Sequence, residues 1–187
     1  MNQVVEVNET HLLTQAQRGD RAAFSELVCL YHSRVINIVY RMCGDAGLAE
    51  DAAQVAFLKA WLRLAQFKPA TEHNTFRSWL YRIAVNAALD ILRSEKAQVD
   101  IEQMPLSAPD AGLDAGLERQ ELVGQVRQAV LALPEASRAV LVLKEYEGLS
   151  YREIAETLEI PLGTVMSRLN YARNQLALRL RSVLEVT

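Results

Sequence analysis

Hydrophobic residues recur three or four positions apart along most of this chain, a spacing typical of amphipathic helices. Between about residues 10 and 96 the pattern predicts four helices, interrupted at 19–20, at 44–45 and by a polar loop at 67–74. Asp20 directly precedes the second run and is suited to cap it. The positions expected to be buried are Leu12, Leu13, Ala16, Phe24, Leu27, Val28, Tyr31, Val35, Ile38, Val39, Met42, Ala53, Ala56, Phe57, Ala60, Trp61, Leu64, Phe76, Trp79, Leu80, Ile83, Ala87 and Ile91.

The helical pattern stops between about residues 97 and 117. Two prolines and two glycines interrupt this stretch, and they discourage regular structure. Four acids are mixed among them, so this stretch contributes much of the net negative charge of the chain. The composition predicts a flexible, acidic linker. The residues are Asp100, Glu102, Pro105, Pro109, Asp110, Gly112, Asp114 and Gly116.

Helical periodicity resumes from residue 118. One face runs to Pro134, which ends it, and a second follows at 139–143. No run alternates with the period of a strand, and no segment repeats. The sequence therefore predicts an all-α protein of two small helical domains: an N-terminal helical bundle at 1–96 and a C-terminal helix-turn-helix domain at 118–187, joined by the linker at 97–117. The first face comprises Leu122, Val126, Ala129, Val130 and Leu133.

Residues 150–169 carry the pattern of two short helices joined by a tight turn. Ser150 and Glu153 have the spacing of a capping box. Pro161 predicts a break, Gly163 suits the turn, and Thr164 is a candidate cap for the second helix. A pair of helices of this size is the usual way to hold one helix in the major groove of DNA. Val165, Leu169, Ala172, Leu176 and Leu180 form the expected buried stripe of the second helix.

The opposite face of that second helix has the chemistry of a DNA-reading surface. Between residues 163 and 181 the chain contains four arginines and no acid, a local charge that suits phosphate contact. The alternative is an ordinary helical hairpin with a solvated face. The exposed face is expected to present Met166, Ser167, Asn170, Tyr171, Arg173 and Arg181.

Composition limits the possible functions. The 187 residues are 50% hydrophobic and have a net charge of −3, whereas proteins that hold nucleic acid through charge alone are usually basic. If this protein binds DNA, either its basic residues are segregated or a partner supplies much of the affinity for DNA. Cys29 and Cys43 have no metal-site spacing, so we expect two reduced core thiols, with a redox switch as the alternative. We find no enzyme motif and expect no cofactor. With no secretory signal and no apolar run of about 20 residues, we expect a soluble, cytoplasmic protein without membrane insertion.

Two more helices of the first domain carry candidate sites. In the fourth helix, Arg77, Tyr81, Arg82, Asn86 and Arg93 are expected outside the buried face. Exposed rings among cations suit single-stranded nucleic acid, and the preceding polar loop could hold an extruded base. The third helix has polar groups beside an apolar stripe, which fits either a solvated bundle helix or a protein-docking helix.

Taken in order, five motifs make the chain resemble bacterial sigma factors of the extracytoplasmic-function (ECF) group. They lie at 50–61 (EDAAQVAFLKAW), 76–86 (FRSWLYRIAVN), 133–135 (LPE), 148–155 (GLSYREIA) and 163–169 (GTVMSRL). The resemblance covers nearly the whole chain, and it includes the linker. It implies an alternative sigma factor that binds core RNA polymerase and directs promoter-specific transcription initiation.

The resemblance also implies roles for individual residues. The third helix would dock on the β′ clamp of polymerase, the fourth helix and its preceding loop would recognise and melt the −10 element, and the last helix would read the −35 element. The docking residues would be Asp51, Gln54, Phe57, Lys59 and Arg63; the −10 residues Phe67, Lys68, Asn74, Arg82, Ile83, Asn86 and Arg93; and the −35 residues Thr164, Met166, Ser167, Arg168, Asn170, Tyr171 and Arg173.

The implied partners are core RNA polymerase, through its β′ clamp and β flap, promoter DNA and an anti-sigma factor. The chain departs from the family pattern at several of the contact positions. Val55 stands where relatives usually have an acid, Met166 where they commonly have a basic residue, and Asn170 and Tyr171 where many have an arginine. Asn170 would favour adenine, and Met166 or Tyr171 would contact thymine methyl groups.

Two alternatives remain open at this point. A dimeric helix-turn-helix regulator would bind a palindrome without polymerase, and a helical adaptor would use the hairpin only for packing. In-vitro transcription with core polymerase distinguishes all three, because only a sigma factor starts RNA synthesis at a defined promoter.

Overall fold

The structure, a computed structural model, describes residues 2–68, 75–99 and 117–184. These residues form eight α-helices and one 3-10 turn, with no strand among them, so the predicted all-α fold is confirmed. Within the described residues no helix is long and apolar enough to cross a membrane. The linker predicted at 97–117 falls largely outside the described residues. The helices are α1 Asn2–Gln17, α2 Arg21–Cys43, α3 Ala46–Arg63, α4 Phe76–Val99, α5 Leu117–Leu131, α6 Glu135–Glu145, α7 Tyr151–Leu158 and α8 Leu162–Leu184, and the 3-10 turn is Leu64–Gln66.

Local capping sets the helix boundaries in the N-terminal half. The carboxylate of Asp20 accepts hydrogen bonds from the N–H groups of Ala22 (2.8 Å) and Ala23 (3.2 Å), as the sequence predicted. Asp45 accepts from the N–H of Leu48 at 2.8 Å and starts α3 in the same way. Between them, Gly44 ends α2 with φ +83°, a conformation that glycine adopts at little cost.

The core of the N-terminal half lies where α2, α3 and α4 pack against one another. Tyr31, Val35, Ile38, Phe76 and Leu80 are all buried there, as the periodicity predicted. Tyr81 was predicted on an outer face, and that prediction is wrong because its side chain is fully buried. Its hydroxyl lies near Glu147 and Arg34. Burial makes the largest contribution to raising the pKa of Tyr81, Glu147 raises it further, and Arg34 lowers it.

The C-terminal helices form a second packed group. Residues 139–143 of α6 are buried together with Leu149, Ile154, Val165 and Leu169, so the predicted stripes meet one another. Leu122 was predicted to be buried, but 43% of its surface is exposed. Cys29 was expected in a core and is also exposed, whereas Cys43 is half-buried; neither cysteine forms a disulfide.

The two halves of the chain contact each other directly. The C-terminal end of α2 contacts α5 and α6, and α4 contacts α7. A side chain at Gly44 would collide with this interface, because an added Cβ would lie 2.6 Å from Cδ1 of Leu131. The predicted flexible linker leaves the relative position of the two domains open, so the sequence did not predict this contact.

Candidate nucleic-acid interface

The helix-turn-helix begins with the predicted capping box. The Ser150 hydroxyl accepts from the Glu153 N–H at 3.2 Å, and the Ser150 N–H donates to the Glu153 carboxylate at 2.7 Å. Burial alone would raise the pKa of Glu153, but these bonds and the charge of Arg77 outweigh it, so the pKa is lowered. The box therefore fixes the start of α7 and keeps Glu153 charged.

The turn between α7 and α8 differs from the prediction. Glu159 ends α7 in the left-handed conformation, with φ +54°, and its N–H donates to the carbonyls of Ala155 and Glu156. The second helix starts at Leu162, so Thr164 lies in its first turn and is not its cap. Thr164 instead donates its backbone N–H to the Pro161 carbonyl at 2.8 Å. The sharp change of direction is made by Glu159 and not by Gly163.

The predicted reading face of α8 is present in the structure. Val165, Leu169 and Ala172 are fully buried, which holds the other side of the helix outward. Met166 and Tyr171 are 50% and 45% exposed, and Ser167 and Asn170 are exposed beside them. This face mixes apolar and hydrogen-bonding groups, which suits contact with base edges more than with phosphates.

The side chains of Arg173 and Ser167 form hydrogen bonds within the protein. Arg173 forms a two-pronged ion pair with Glu145, at 3.2 Å and 2.7 Å, and this hydrogen bonding raises the pKa of Arg173. The Ser167 hydroxyl donates to the Thr164 carbonyl at 3.1 Å. Arg168 and Thr164 are half-buried. To contact a DNA phosphate, Arg173 must exchange Glu145 for it.

The −10 candidates separate into core and surface residues. Phe67 is buried against Phe76 and Trp79, with ring centroids 6.2 Å and 5.0 Å away, and Ile83 is buried as well. Phe67 and Ile83 therefore support the site from inside in this conformation. The surface residues are Lys68, Arg82, Asn86 and Arg93, whereas Asn74 lies outside the described residues.

One cavity joins the two predicted DNA-binding surfaces. It has a volume of about 160 Å³ and lies between α4, α6 and the α7–α8 turn. Arg82 and Asn86 line it from α4, and Arg168 lines it from α8. Sequence reasoning assigned these residues to separate domains and separate promoter elements. The structure brings them together.

The docking candidates lie along α3. Asp51, Gln54 and Arg63 are exposed, whereas Phe57 is buried and stacks on His32 with ring centroids 6.3 Å apart. Phe57 therefore holds α3 against α2. The Nζ atom of Lys59 lies 3.4 Å from the Oδ2 atom of Asp90 in α4.

Sequence reasoning missed an apolar surface on the same helix. Val55, Leu58 and Leu62 are 45%, 59% and 68% exposed, and their spacing of three and four places them on one face. We call these three residues the α3 apolar stripe. The signal was present in the sequence, because α3 has more apolar residues than a single buried face accommodates. An exposed apolar stripe on a helix whose other apolar face is already buried indicates a protein contact.

Comparison with known proteins gives the same answer for both halves. Residues 27–98 match the family model of sigma-70 region 2, and residues 124–176 match that of sigma-70 region 4. The chain is 35% identical to the RNA polymerase sigma-H factor of Pseudomonas aeruginosa, over 94% of this chain and 95% of that protein. It is 32% identical to the ECF RNA polymerase sigma factor SigW of Bacillus subtilis, over 91% and 96%.

A solved structure with a similar fold is that of CnrH in complex with the cytosolic domain of CnrY. The TM-score is 0.71 at 26% identity, and the match covers 94% of this chain and 98% of CnrH. The similarity therefore extends over both groups of helices.

Proposed function

The chain belongs to the extracytoplasmic-function sigma factors of the sigma-70 family, and we propose that its helices divide the contacts of such a factor among α3, α4 and α8. As a sigma factor it binds core RNA polymerase and directs initiation at its own promoters. In this proposal residues 1–96 dock on polymerase and open the −10 element, residues 97–117 connect, and residues 118–187 read the −35 element.

The observation that carries this assignment is the exposed reading face of α8 in a chain that has a second exposed contact surface on α3. The chain as a whole has a net charge of −3, so it lacks the overall basic excess with which proteins hold DNA through charge alone. Polymerase would tether both halves at one promoter and raise their effective concentrations there.

The proposal also includes the partners and the place of action. The family resemblance implies the β′ clamp and β flap of polymerase as docking sites and an anti-sigma factor as the inhibitor. CnrH, which has this fold, was solved with a protein partner bound. We further propose a cytoplasmic, non-catalytic protein that needs no cofactor.

Transcription by reconstituted holoenzyme tests the function. Core polymerase with the purified chain would transcribe fragmented genomic DNA of the source organism, and the 5′ ends of the RNA would be sequenced. We expect start sites that share a −35 and a −10 element and that disappear without the chain. Binding to a palindromic DNA site without polymerase would instead identify a dimeric regulator. If neither result is obtained, the chain is a helical adaptor.

Replacing Asn170 tests the −35 surface. The Asn170 amide is exposed on the reading face and can pair with adenine through two hydrogen bonds. We expect Asn170→Ala to reduce discrimination at one −35 position by about 1–3 kcal/mol. Selection of −35 variants by holoenzyme would measure it. Asn174→Ala, one turn further along α8 and also exposed, is the matched control and should keep the wild-type preference.

A further inference from the structure

The last residue of α1 reaches the end of a distant helix. The side-chain amide of Gln17 donates to the Phe67 carbonyl at 2.8 Å and to the Leu64 carbonyl at 3.3 Å, although 50 and 47 residues separate the partners in the chain. An amide NH2 group has two N–H donors, so it can serve both acceptors. The two carbonyls lie at the start and just after the end of the 3-10 turn that follows α3, where backbone oxygens lack partners within their own helix. One side chain therefore fixes the point at which the chain leaves α3.

The backbone of Gln17 is itself held in place. Leu12 and Ala16, in the last turns of α1, are buried in the core of the N-terminal bundle. Three residues after Gln17, Asp20 caps the start of α2. Packing on one side of Gln17 and capping on the other leave its backbone little freedom. Its amide is therefore a donor at a fixed position in the bundle.

Phe67 is the residue whose position this contact controls. Its side chain is 6% exposed, and its ring centroid lies 5.0 Å from that of Trp79 and 6.2 Å from that of Phe76, both in α4. The ring is thus held from the α4 side, and the carbonyl is held from the α1 side by Gln17. Lys68, the next residue, is exposed. Because Phe67 is fixed on both sides, the direction in which the chain continues to Lys68 is fixed as well.

A second contact joins α1 to the same aromatic cluster. The Tyr31 hydroxyl donates to the Glu9 carboxylate at 2.8 Å, and the Tyr31 ring centroid lies 5.6 Å from that of Phe76. Burial first, and then Glu9, raise the pKa of Tyr31, so its hydroxyl keeps the proton that it donates. Glu9 and Gln17 lie about two turns apart on α1. Polar side chains at two levels of α1 therefore contact the packing around the start of α4.

The family assignment does not include these α1 residues. The match to sigma-70 region 2 covers residues 27–98, whereas α1 ends at Gln17. The acceptors of the Gln17 amide nevertheless lie within that match, next to Lys68. A helix end at the surface can obtain its donors from water, but here a side chain from another helix supplies them at a buried phenylalanine. The contact thus links a segment outside the match to the residues assigned to the −10 element.

We propose that Gln17 is a positioning residue for −10 recognition: it holds Phe67, and with it the direction of Lys68, in place before DNA binds. This proposal rests on the proposed function, because it takes Phe67 and Lys68 as part of the −10 site. A site that is already ordered loses less conformational freedom on binding than a mobile one does. The effect is confined to the −10 element, because both hydrogen bonds of the Gln17 amide end on the chain that leads to α4.

Gln17→Glu and Gln17→Met test the donation. Glutamate has the size of glutamine, but an ionised carboxylate only accepts hydrogen bonds, so it cannot serve the two carbonyls. Methionine is similar in length and has no N–H group. Gln15→Glu is the matched control, because it adds the same charge to the same helix at a residue that is also half-buried. Any general effect of an added negative charge on DNA binding is therefore present in the control as well.

Competition between promoters on the holoenzyme gives the outcome. Full-length variants with core polymerase would transcribe two templates in one reaction, which differ by one base in the −10 element of a promoter mapped with the wild type. A second pair of templates would differ by one base in the −35 element. A difference in the folded fraction cancels from each transcript ratio, because both templates share the same enzyme. We expect both Gln17 variants to decrease the −10 ratio roughly fivefold and to keep the −35 ratio, whereas Gln15→Glu keeps both ratios.

Other results overturn the proposal. An unchanged −10 ratio in both Gln17 variants would show that Gln17 does not position the −10 site. An equal decrease in the −10 and −35 ratios would indicate a general loosening of the protein. A decrease with Gln17→Glu alone would assign the effect to the added charge and not to the lost donor. The proposed function fails separately, if wild-type holoenzyme yields no start sites that share a −10 element.

Discussion

Leu58→Asp is expected to reduce the affinity of the chain for core RNA polymerase by about thirtyfold while leaving the fold intact. Leu58 lies at the centre of the α3 apolar stripe, between Val55 and Leu62, and is 59% exposed. Its replacement removes little buried surface from the protein. In a polymerase complex the same side chain would be desolvated, and an aspartate there would be a buried, unpaired charge. Fluorescence titration with core polymerase would measure the loss.

The residue type at position 55 is the reason to expect an apolar contact with polymerase. Relatives usually have an acid at this position, and the family resemblance implies that α3 faces a polymerase helix. Valine removes that charge and extends the apolar stripe, so we infer that this chain relies more on apolar burial at the contact. The affinity of wild-type chain for polymerase should accordingly depend weakly on salt.

Leu30→Asp is the matched control, because Leu30 is 47% exposed on α2 and lies outside the stripe. It should bind polymerase as the wild type does, and both variants should retain the wild-type helical content by circular dichroism. Equal weakening by both variants would assign the effect to a general loss of solubility or charge balance. Unchanged binding by Leu58→Asp would show that α3 does not dock through the stripe.

Local patterns predicted the elements of this fold well. The spacing of Val165, Leu169 and Ala172 predicted which side of α8 is buried, and the Ser150–Glu153 spacing predicted the start of α7. Both rest on residues within a few positions of each other, where helix geometry dictates which side chains meet. The family motifs added the order and roles of the two DNA-binding segments.

Contacts between distant residues could not be predicted in this way. Periodicity gives the direction of a side chain around its own helix, but it does not identify the helix that covers it. Tyr81 was therefore placed on an outer face, although neighbouring helices and Glu147 enclose it. The same limit applies to Phe67, which was assigned a surface role and is buried, whereas periodicity correctly predicted the burial of Phe57. Glu159 was missed because a glutamate gives no sequence signal for a left-handed conformation.

Arg138→Ala is expected to lower the free energy of unfolding by about 3 kcal/mol, the largest stability effect of any single arginine change in the described residues. Arg138 is 7% exposed, an exceptional burial for an arginine. Its guanidinium donates to the carbonyls of Leu131 and Leu133 at the end of α5 and to that of Met42 at the end of α2. Without it, three carbonyls lose their donor and the space of a long side chain is empty.

The three carbonyls explain why no other residue type substitutes well. They belong to two helix ends, where backbone oxygens lack partners within their own helix. A planar guanidinium with five N–H groups can donate to several acceptors at once, whereas an ammonium group is a single point charge. Arg138→Lys should therefore retain the positive charge and still lose most of the about 3 kcal/mol of unfolding free energy that Arg138→Ala loses. Burial lowers the pKa of Arg138, which is consistent with the low solvent access of the site.

Thermal unfolding followed by circular dichroism would measure the effect, with Arg18→Ala as the control at an exposed arginine. A loss of about 3 kcal/mol corresponds to a decrease in Tm of about 6–12 °C for a chain of this length, whereas the control should change by less than about 0.5 kcal/mol. Because Met42 belongs to the N-terminal bundle and Leu131 and Leu133 to the C-terminal helices, the substitution also removes a contact between the halves. A decrease confined to one of two separate unfolding transitions would show that Arg138 stabilises only the half of the chain that unfolds in that transition, and an unchanged Tm would contradict the prediction.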